Sequence, residues 1–258
     1  MKAHELIHDV ADSVAEMRDM LRGARRIVGF TGAGISTECG VPDFRSPGSP
    51  WLKFAPIEYG EFVSSPAARQ EAWRRKFAMD DIYGHAAPGR GHRAMAHLVG
   101  VGRMSAIVTQ NIDGLHQASG VAPSRIIELH GNGTYARCLE CGLRHELADI
   151  RTRFEASGEP PMCVSCGGIV KSATISFGQA MPEREMLRAQ AVAMDCDVFL
   201  VVGSSLVVHP AATLPLIARQ SGARLIILNR DPTPLDEAAS LVVNADIGDA
   251  LEPLAQLN

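Results

Sequence analysis

No apolar run in this 258-residue chain approaches the ~20 residues that a helix needs to cross a bilayer. Nor does the start, MKAHELIHDVADSVAEM, hold the unbroken apolar stretch of a secretion signal; charged and apolar side chains alternate there as on an amphipathic helix. Internal repeats and low-complexity tracts are absent too. Charge is short in both directions: a net −4 provides no broad field for nucleic acid or an anionic membrane, leaving only a local basic patch as a route to either. Six cysteines are too few for a disulfide scaffold in a chain of this length. These shortages point to a cytoplasmic protein whose partners are neither membranes nor nucleic acids.

What is present is an ordinary core-forming composition, 46% hydrophobic and 21% charged. Six short apolar runs stand out: RIVGF, SAIVT, IIEL, VFLVVG, RLIIL and the LVV from Leu241. Helical patterns lie near 89–99, 183–194, 211–221 and 248–256. Fully apolar strands alternating with helices predict an α/β fold, a Rossmann-like parallel sheet covered on both faces. Two regions break the alternation. Residues 37–85 combine a polar loop with the helical SPAARQEAWRRKFAM, and residues 132–171 hold two cysteine pairs with little apolar periodicity. Structureless loops beyond about 15 residues are uncommon in compact domains, so both read as insertions forming a smaller lobe. The expected division is a discontinuous nucleotide-binding domain (1–36, 86–131, 172–258), a cofactor loop with a helical insertion (37–85) and a metal module (132–171).

Cys138-x-x-Cys141 and Cys163-x-x-Cys166 can each place two thiolates on a tight turn. Two such turns complete a tetrahedral S4 site, which suits one structural zinc and leaves no position open for water. Two disulfides, a redox pair or an iron–sulfur cluster are the alternatives, and the lack of secretory features weighs against disulfides. Cys196 precedes a buried strand and reads as a small core residue, while Cys39 has no base near it in sequence.

Polar motifs follow five of the apolar runs. After RIVGF comes FTGAGISTECGVPDFRS, which starts as a dinucleotide turn but has Thr37 where the third glycine of G-x-G-x-x-G belongs; glycine returns at Gly40. After SAIVT stand Gln110, Asn111, Asp113 and His116; after IIEL, His130 before Gly131; after VFLVV, Gly203, Ser204 and Ser205; after RLIIL, Asn229, Arg230 and Asp231. Amides, hydroxyls and a carboxylate at successive strand ends suit a ligand crevice, and His130 is placed to project into it as a base.

The motifs GAGIS, GVPDFRS, TQNIDGLH, LHG, the two cysteine pairs, GSSLVVHP and LNRD follow one another between residues 29 and 231 in an order that resembles the sirtuin family. That resemblance implies an NAD-dependent protein-lysine deacylase, with NAD consumed as co-substrate and an acylated-lysine protein or peptide as partner. It implies that Gly32, Ala33, Gly34 and Ser36 line the pyrophosphate, with Asp43, Phe44 and Arg45 in the covering loop and Phe44 shielding the reactive ribose face. Gln110, Asn111 and Asp113 would surround nicotinamide and its ribose; Gly203, Ser204, Ser205 and Asn229 would hold the adenosine side, with Ile247 near adenine. His130 would be the general base. The acyl oxygen would attack the anomeric carbon and expel nicotinamide. His130 would then help deprotonate a ribose hydroxyl that attacks the imidate carbon, and water would release lysine and O-acyl-ADP-ribose. The backbones of Ile175, Ser176, Phe177 and Gly178 and of Val207 and Val208 would pair with the substrate as an added strand.

Two departures bear on specificity. Gln179 stands where many sirtuins carry a glutamate after Phe-Gly, which opens the peptide preference. Trp73-Arg74-Arg75-Lys76 stands where the branch that removes acidic acyl groups carries Tyr-x-x-Arg; it reads as a solvated helix face, the alternative being that Arg74 or Arg75 faces the pocket and substitutes for the clamp. Rival functions are mono-ADP-ribosyl transfer or NAD hydrolysis on the same scaffold, and a nucleotide sensor without turnover. A dehydrogenase is disfavoured because it would carry an acid about 20 residues after the turn, closing a compact βαβ unit, whereas here an insertion intervenes. Acyl preference, target protein and oligomeric state stay open at this level.

Overall fold

The computed structural model describes residues 10–43, 48–53 and 55–256. Its strands are β1 (Ile27–Thr31), β2 (Met104–Thr109), β3 (Ile126–Glu128), β4 (Gly131–Cys138), β5 (Arg144–Glu146), β6 (Val170–Thr174), β7 (Val198–Val202), β8 (Arg224–Leu228) and β9 (Leu241–Val243). Six form one parallel sheet in the order β3-β2-β1-β7-β8-β9. All six apolar runs are strands of this sheet. The chain builds outward from β1 on one side and then returns to build from β7 on the other. That reversal opens a crevice beyond the carboxyl ends of β1 and β7, where α/β sheets take their ligands.

The strands are apolar on both faces because helices cover both. Ile27, Ile107, Leu200, Val202 and Ile226 pack on Met17, Leu21, Met95, Leu98 and Leu251 from the helices Val10–Gly23, Arg90–Gly100 and Ile247–Leu251. Val28, Phe30, Val108, Phe199, Val201 and Ile227 pack on Ala189, Ala193, Leu214 and Ala218 from the helices Glu183–Met194 and Leu214–Gln220. On the first face Gly29 leaves room for Met95: an added Cβ would fall 2.3 Å from its methyl group.

A smaller lobe has its own sheet, β5-β4-β6, antiparallel throughout. The sequence pattern gave no sign of these strands, since β4 alternates poorly and its pairing with β6 shifts register between Gly131 and Ala136. The helix Pro66–Tyr83 covers this lobe. Trp73 and Phe77 on that helix join Ala136, Cys138, Ile150, Cys163 and Val170 in a third core, and Trp73 and Phe77 stack at 5.6 Å. The helical insertion and the cysteine module therefore share one interior.

The basic run beside Trp73 divides by helical phase. Arg74 and Arg75 both bind Glu71, at 2.7 and 2.6 Å, and Arg75 also donates to the Ala55 carbonyl. Arg74 and then Arg75 hold the Glu71 carboxyl down at about 2. Lys76 departs from the expected solvated face: it is largely buried and paired with Asp80. Among the described residues no helix is long and apolar enough to cross a membrane.

Because Trp73 sits at the centre of the shared third core, Trp73→Ala is expected to cost about 3–5 kcal/mol. Chemical denaturation followed by circular dichroism should show an early transition in which the small lobe opens first.

Candidate active site

The first role of the glycine turn is to pack backbone on backbone. The Gly32 N–H donates to the Val202 carbonyl at 3.1 Å and the Gly34 N–H to the Gly203 carbonyl at 2.8 Å. An added Cβ would fall 2.7 Å from the Gly203 oxygen at Gly32, and 2.7 Å from the Gly203 Cα at Gly34. Gly203 itself has φ +63° and stands 2.4 Å, by the same measure, from the Ile35 nitrogen. No side chain fits at any of the three. The chain then forms a 3-10 helix, Ala33–Cys39, rather than the α-helix of a dinucleotide fold. The Thr37 hydroxyl donates to the Gly34 carbonyl, and Gly40 ends the turn in the left-handed conformation, φ 82°. This explains the missing glycine at 37 and its return at 40.

Behind the turn lies a buried polar network. The Ser36 hydroxyl donates to Asp113 Oδ2 at 2.7 Å and accepts from Asn111 Nδ2 at 3.3 Å and His92 Nε2 at 3.5 Å. Asn111 Nδ2 also donates to the Gly32 carbonyl, and Asp113 Oδ1 accepts the Leu115 N–H. The Gly89 N–H donates to His92 Nδ1 at 3.3 Å, so the His92 proton sits on Nε2 and points at Ser36. Deeper still, the Thr31 hydroxyl donates to Thr109 Oγ1, and His116 Nε2 bonds Thr31 Oγ1 at 2.9 Å. Burial lowers both imidazoles, His116 to about 3. Both are neutral at physiological pH.

His92 is a site residue that the sequence reading missed. It precedes β2 on a helix, more than fifty residues from Ser36, and nothing local marks it among nine histidines. It also lies 3.8 Å from the Cys39 sulfur. Burial raises the Cys39 thiol while it lowers the imidazole, so the two do not form a thiolate–imidazolium pair.

A narrow cleft opens from this network, lined by Ala33, Val41, Pro42, Tyr83, Asn111, Ile112 and Asp113. Tyr83 enters from the helical insertion, and its hydroxyl is raised by burial and then by Asp80 and Asp113. Asp43 borders the loop, where its carbonyl accepts the Ser49 hydroxyl. Phe44 and Arg45 lie outside the described residues.

His130 stands between the two sheets. Leu129 is still tied to β2 through the Thr109 carbonyl, while the His130 carbonyl accepts the Ile175 N–H at 2.9 Å. Its side chain is half-buried, with Nδ1 3.0 Å from the Gln110 carbonyl. A carbonyl only accepts, so Nδ1 carries the proton and Nε2 keeps its lone pair. Burial lowers the imidazole below its ordinary value, against the raising effect of the Gln110 carbonyl. Gly131 follows at φ +72°, where an added Cβ would strike the Ala173 carbonyl at 2.1 Å.

Gln110 bridges β2 to β7 by donating to the Ser204 hydroxyl at 2.8 Å. Ser205 follows at the crevice edge, half-buried. Asn229 donates to the Asp231 carbonyl at 2.7 Å, and its own N–H is held by Val243. Ile247 packs toward Gly91 and Ile35. Ile175–Gly178 is a turn rather than a strand: Gln179 Oε1 accepts the Ser176 N–H, and the Gln179 N–H returns to the Ser176 carbonyl. The Phe177 carbonyl accepts the Tyr59 N–H, while the Phe177 ring is 67% exposed. Val207 and Val208 are also outside any strand, and Val207 is exposed. Both segments face solvent with backbone already partly engaged.

The four paired cysteines converge, their sulfurs all within 4.8 Å of one another. Cys138 and Cys166 stand 3.5 Å apart and Cys141 and Cys163 3.6 Å. These separations far exceed a disulfide bond of about 2.05 Å. A tetrahedron with zinc–sulfur bonds of about 2.3 Å has sulfurs about 3.8 Å apart, so the donor set fits zinc. Cys196 is buried as expected, its thiol donating to the Ala193 carbonyl.

His116 makes stability depend on pH. The unfolded chain takes a proton near pH 6.5 and the folded chain only near 3, so stability is full above 6.5 and falls as pH drops. Between pH 6.5 and 5 the loss should be about 2 kcal/mol by urea denaturation, and His116→Gln should flatten this limb.

The Sir2 family profile matches residues 32–210. The NAD-dependent protein deacetylase 1 of Bradyrhizobium diazoefficiens is 54% identical over 245 residues, covering 95% of this chain and 96% of that protein. An NAD-dependent protein deacetylase of Rhodopseudomonas palustris is 53% identical over 244 residues, with the same two coverages. A solved Sir2 structure with a p53 peptide and NAD+ superposes with a TM-score of 0.81 at 36% identity, over 93% of this chain and 95% of the other. On fold and sequence together, the chain belongs to the Sir2 family, the sirtuins.

Proposed function

We propose that this protein is an NAD-dependent protein-lysine deacylase that turns acyl-lysine, NAD and water into free lysine, nicotinamide and O-acyl-ADP-ribose. The observation that carries this reading is the state of His130. Its Nδ1–H is fixed on the Gln110 carbonyl and its Nε2 keeps the lone pair, as a general base requires. A protein that only sensed a nucleotide would need no such base.

NAD supplies a ribosyl carbon whose bond to nicotinamide breaks as the acyl oxygen attaches. Around it we assign Gly32, Ala33, Gly34 and Ser36 to the pyrophosphate side, and Gly203, Ser204, Ser205, Asn229 and Ile247 to the adenosine side. Asn111 and Asp113 take the nicotinamide ribose, with Gln110 beside them. The network behind Ser36 supports these roles: it fixes the serine proton on Asp113 and so holds the carboxylate toward the cleft. His130 takes a ribose hydroxyl proton at Nε2, and its backbone ties it to the segment Ile175–Gly178 that we assign to the peptide. Val207 and Val208 form the other wall. We assign Asp43 and Arg45 to the NAD site, and to Phe44 the exclusion of water from the reacting carbon. Cys138, Cys141, Cys163 and Cys166 would hold one zinc, a closed structural site with no part in the reaction. We retain residues 37–85 and 132–171 as the small-lobe insertions, supported by the core that Trp73 shares with Cys138 and Cys163. Free thiols arranged for metal also favour the cytoplasm, where thiols stay reduced.

Purified protein incubated with NAD and a panel of acyl-lysine peptides should yield O-acyl-ADP-ribose and free lysine by mass spectrometry. Nicotinamide release with ADP-ribosylated protein and an untouched peptide would move the assignment to the rival transferase. His130→Ala should lose about 10²–10⁴-fold in turnover with the fold intact. Since His130 acts unprotonated and is lowered from 6.5, kcat/KM should fall with acid along a limb centred below pH 6.5.

Elemental analysis should find one zinc per chain. Cys138→Ser should lose it and, because Cys138 lies in the third core, melt the small lobe at lower temperature.

A further inference from the structure

The helix Arg90–Gly100 opens with a guanidinium facing four carboxylates from two other segments. Arg90 Nε lies 3.2 Å from Glu38 and Nη2 3.1 Å from Asp246; Nη1 contacts Asp249 and stands 3.7 Å from Glu252. Glu38 belongs to the turn Ala33–Cys39, and its second oxygen accepts the Gly91 N–H at 3.2 Å. Asp246 caps the helix Ile247–Leu251 through the Asp249 N–H. The guanidinium lies across Gly248, where an added Cβ would fall 2.4 Å from Cζ.

Ion pairs this exposed contribute little to stability. What this one fixes is relative position. It joins the turn that carries Ser36, the helix that carries His92 and the segment that carries Ile247. Ser36 is assigned to the pyrophosphate side of the proposed NAD site and Ile247 to its adenosine side. Arg18, from the first helix, holds the far side of the last segment through the carbonyls of Asp249 and Ala250. Losing Arg90 should therefore shift that segment rather than release it.

We propose that Arg90 is a positioning residue for NAD, its forked side chain setting the distance between the glycine turn and the Ile247 segment. The inference rests on the NAD site proposed above. Arg90 acts through Glu38, Asp246 and Asp249 and has no part in the chemical step. NAD must satisfy its pyrophosphate and adenosine contacts at once, so a shift of one wall against the other is felt as affinity for the whole molecule. Lysine cannot replace the fork, because one ammonium does not reach carboxylates on both sides.

The test measures NAD affinity by calorimetry, together with kcat and separate KM values for NAD and acyl peptide. Arg90→Met should weaken NAD binding and raise its KM about tenfold. Peptide KM and kcat at saturating NAD should stay within about twofold, a split that general loosening would not give. Arg90→Lys should recover only part of the loss. Gly248→Ala pushes the guanidinium aside without deleting it and should weaken NAD in the same direction, and the double variant should be no worse than Arg90→Met alone. A folded Arg90→Met with unchanged NAD affinity overturns the proposal, as does an equal loss in peptide KM and kcat. Should Arg90→Met fail to fold, Gly248→Ala decides: unchanged NAD affinity there overturns the proposal equally. Wild-type protein that binds acyl peptide but no NAD would overturn the NAD site itself, and Arg90's role with it.

Discussion

Everything at the crevice depends on how closely two backbone turns approach each other. Gly32 and Gly34 at the end of β1 lie against Gly203 at the end of β7 with no side chain between them. The contact is set by two hydrogen bonds, from Gly32 to Val202 and from Gly34 to Gly203. With the turn seated there, Ser36 points inward to meet Asn111 and Asp113 from the neighbouring strand end. A methyl group at any of the three glycines would hold the turns apart and move the serine with them. Close approach to a ligand is a second consequence of the same small residues.

The network beneath that turn is polar, buried and uncharged at its histidines. Burying imidazoles lowers their affinity for protons, which keeps His92 a donor to Ser36 through a single tautomer. An uncharged interior lets the negative charge of the network reside on Asp113, at the cleft. One polar atom, His116 Nδ1, has no hydrogen-bond partner among the described residues. The protein tolerates that cost at the centre of an otherwise satisfied cluster. Cys39 shows the other side of the same physics: a thiol beside a histidine stays unreactive when desolvation disfavours both charges.

The two lobes meet at His130. The residue before it completes the pairing with β2, and the glycine after it starts the small sheet. Its carbonyl holds Ile175, so the proposed base and the proposed peptide segment share one backbone junction. The cysteine cluster stiffens that lobe from within, since Cys138 and Cys163 are part of the core around Trp73.

Much of this was legible in the chain, and the reasons differ by residue. The six strands of the large sheet could be read because a strand buried on both faces is apolar throughout, whatever its neighbours are. The metal cluster could be read because each C-x-x-C is a local turn that carries its own geometry. Short-range physics settled those features. The small sheet was hidden because β4 pairs irregularly with a strand over thirty residues away. His92 was hidden because its meaning comes from Ser36 and Gly89 around it, and the glycine turn was read for a ligand when its nearest constraint is Gly203. The turn at Ile175–Gly178 likewise takes a contact from another segment, the Tyr59 N–H on the Phe177 carbonyl. Which elements form and which residues can do chemistry follow from the chain alone, because periodicity and side-chain type are local. Which of those residues meet, which proton each histidine holds and which charges are lost to burial emerge with the fold, because these follow from distances and desolvation between segments far apart in the chain.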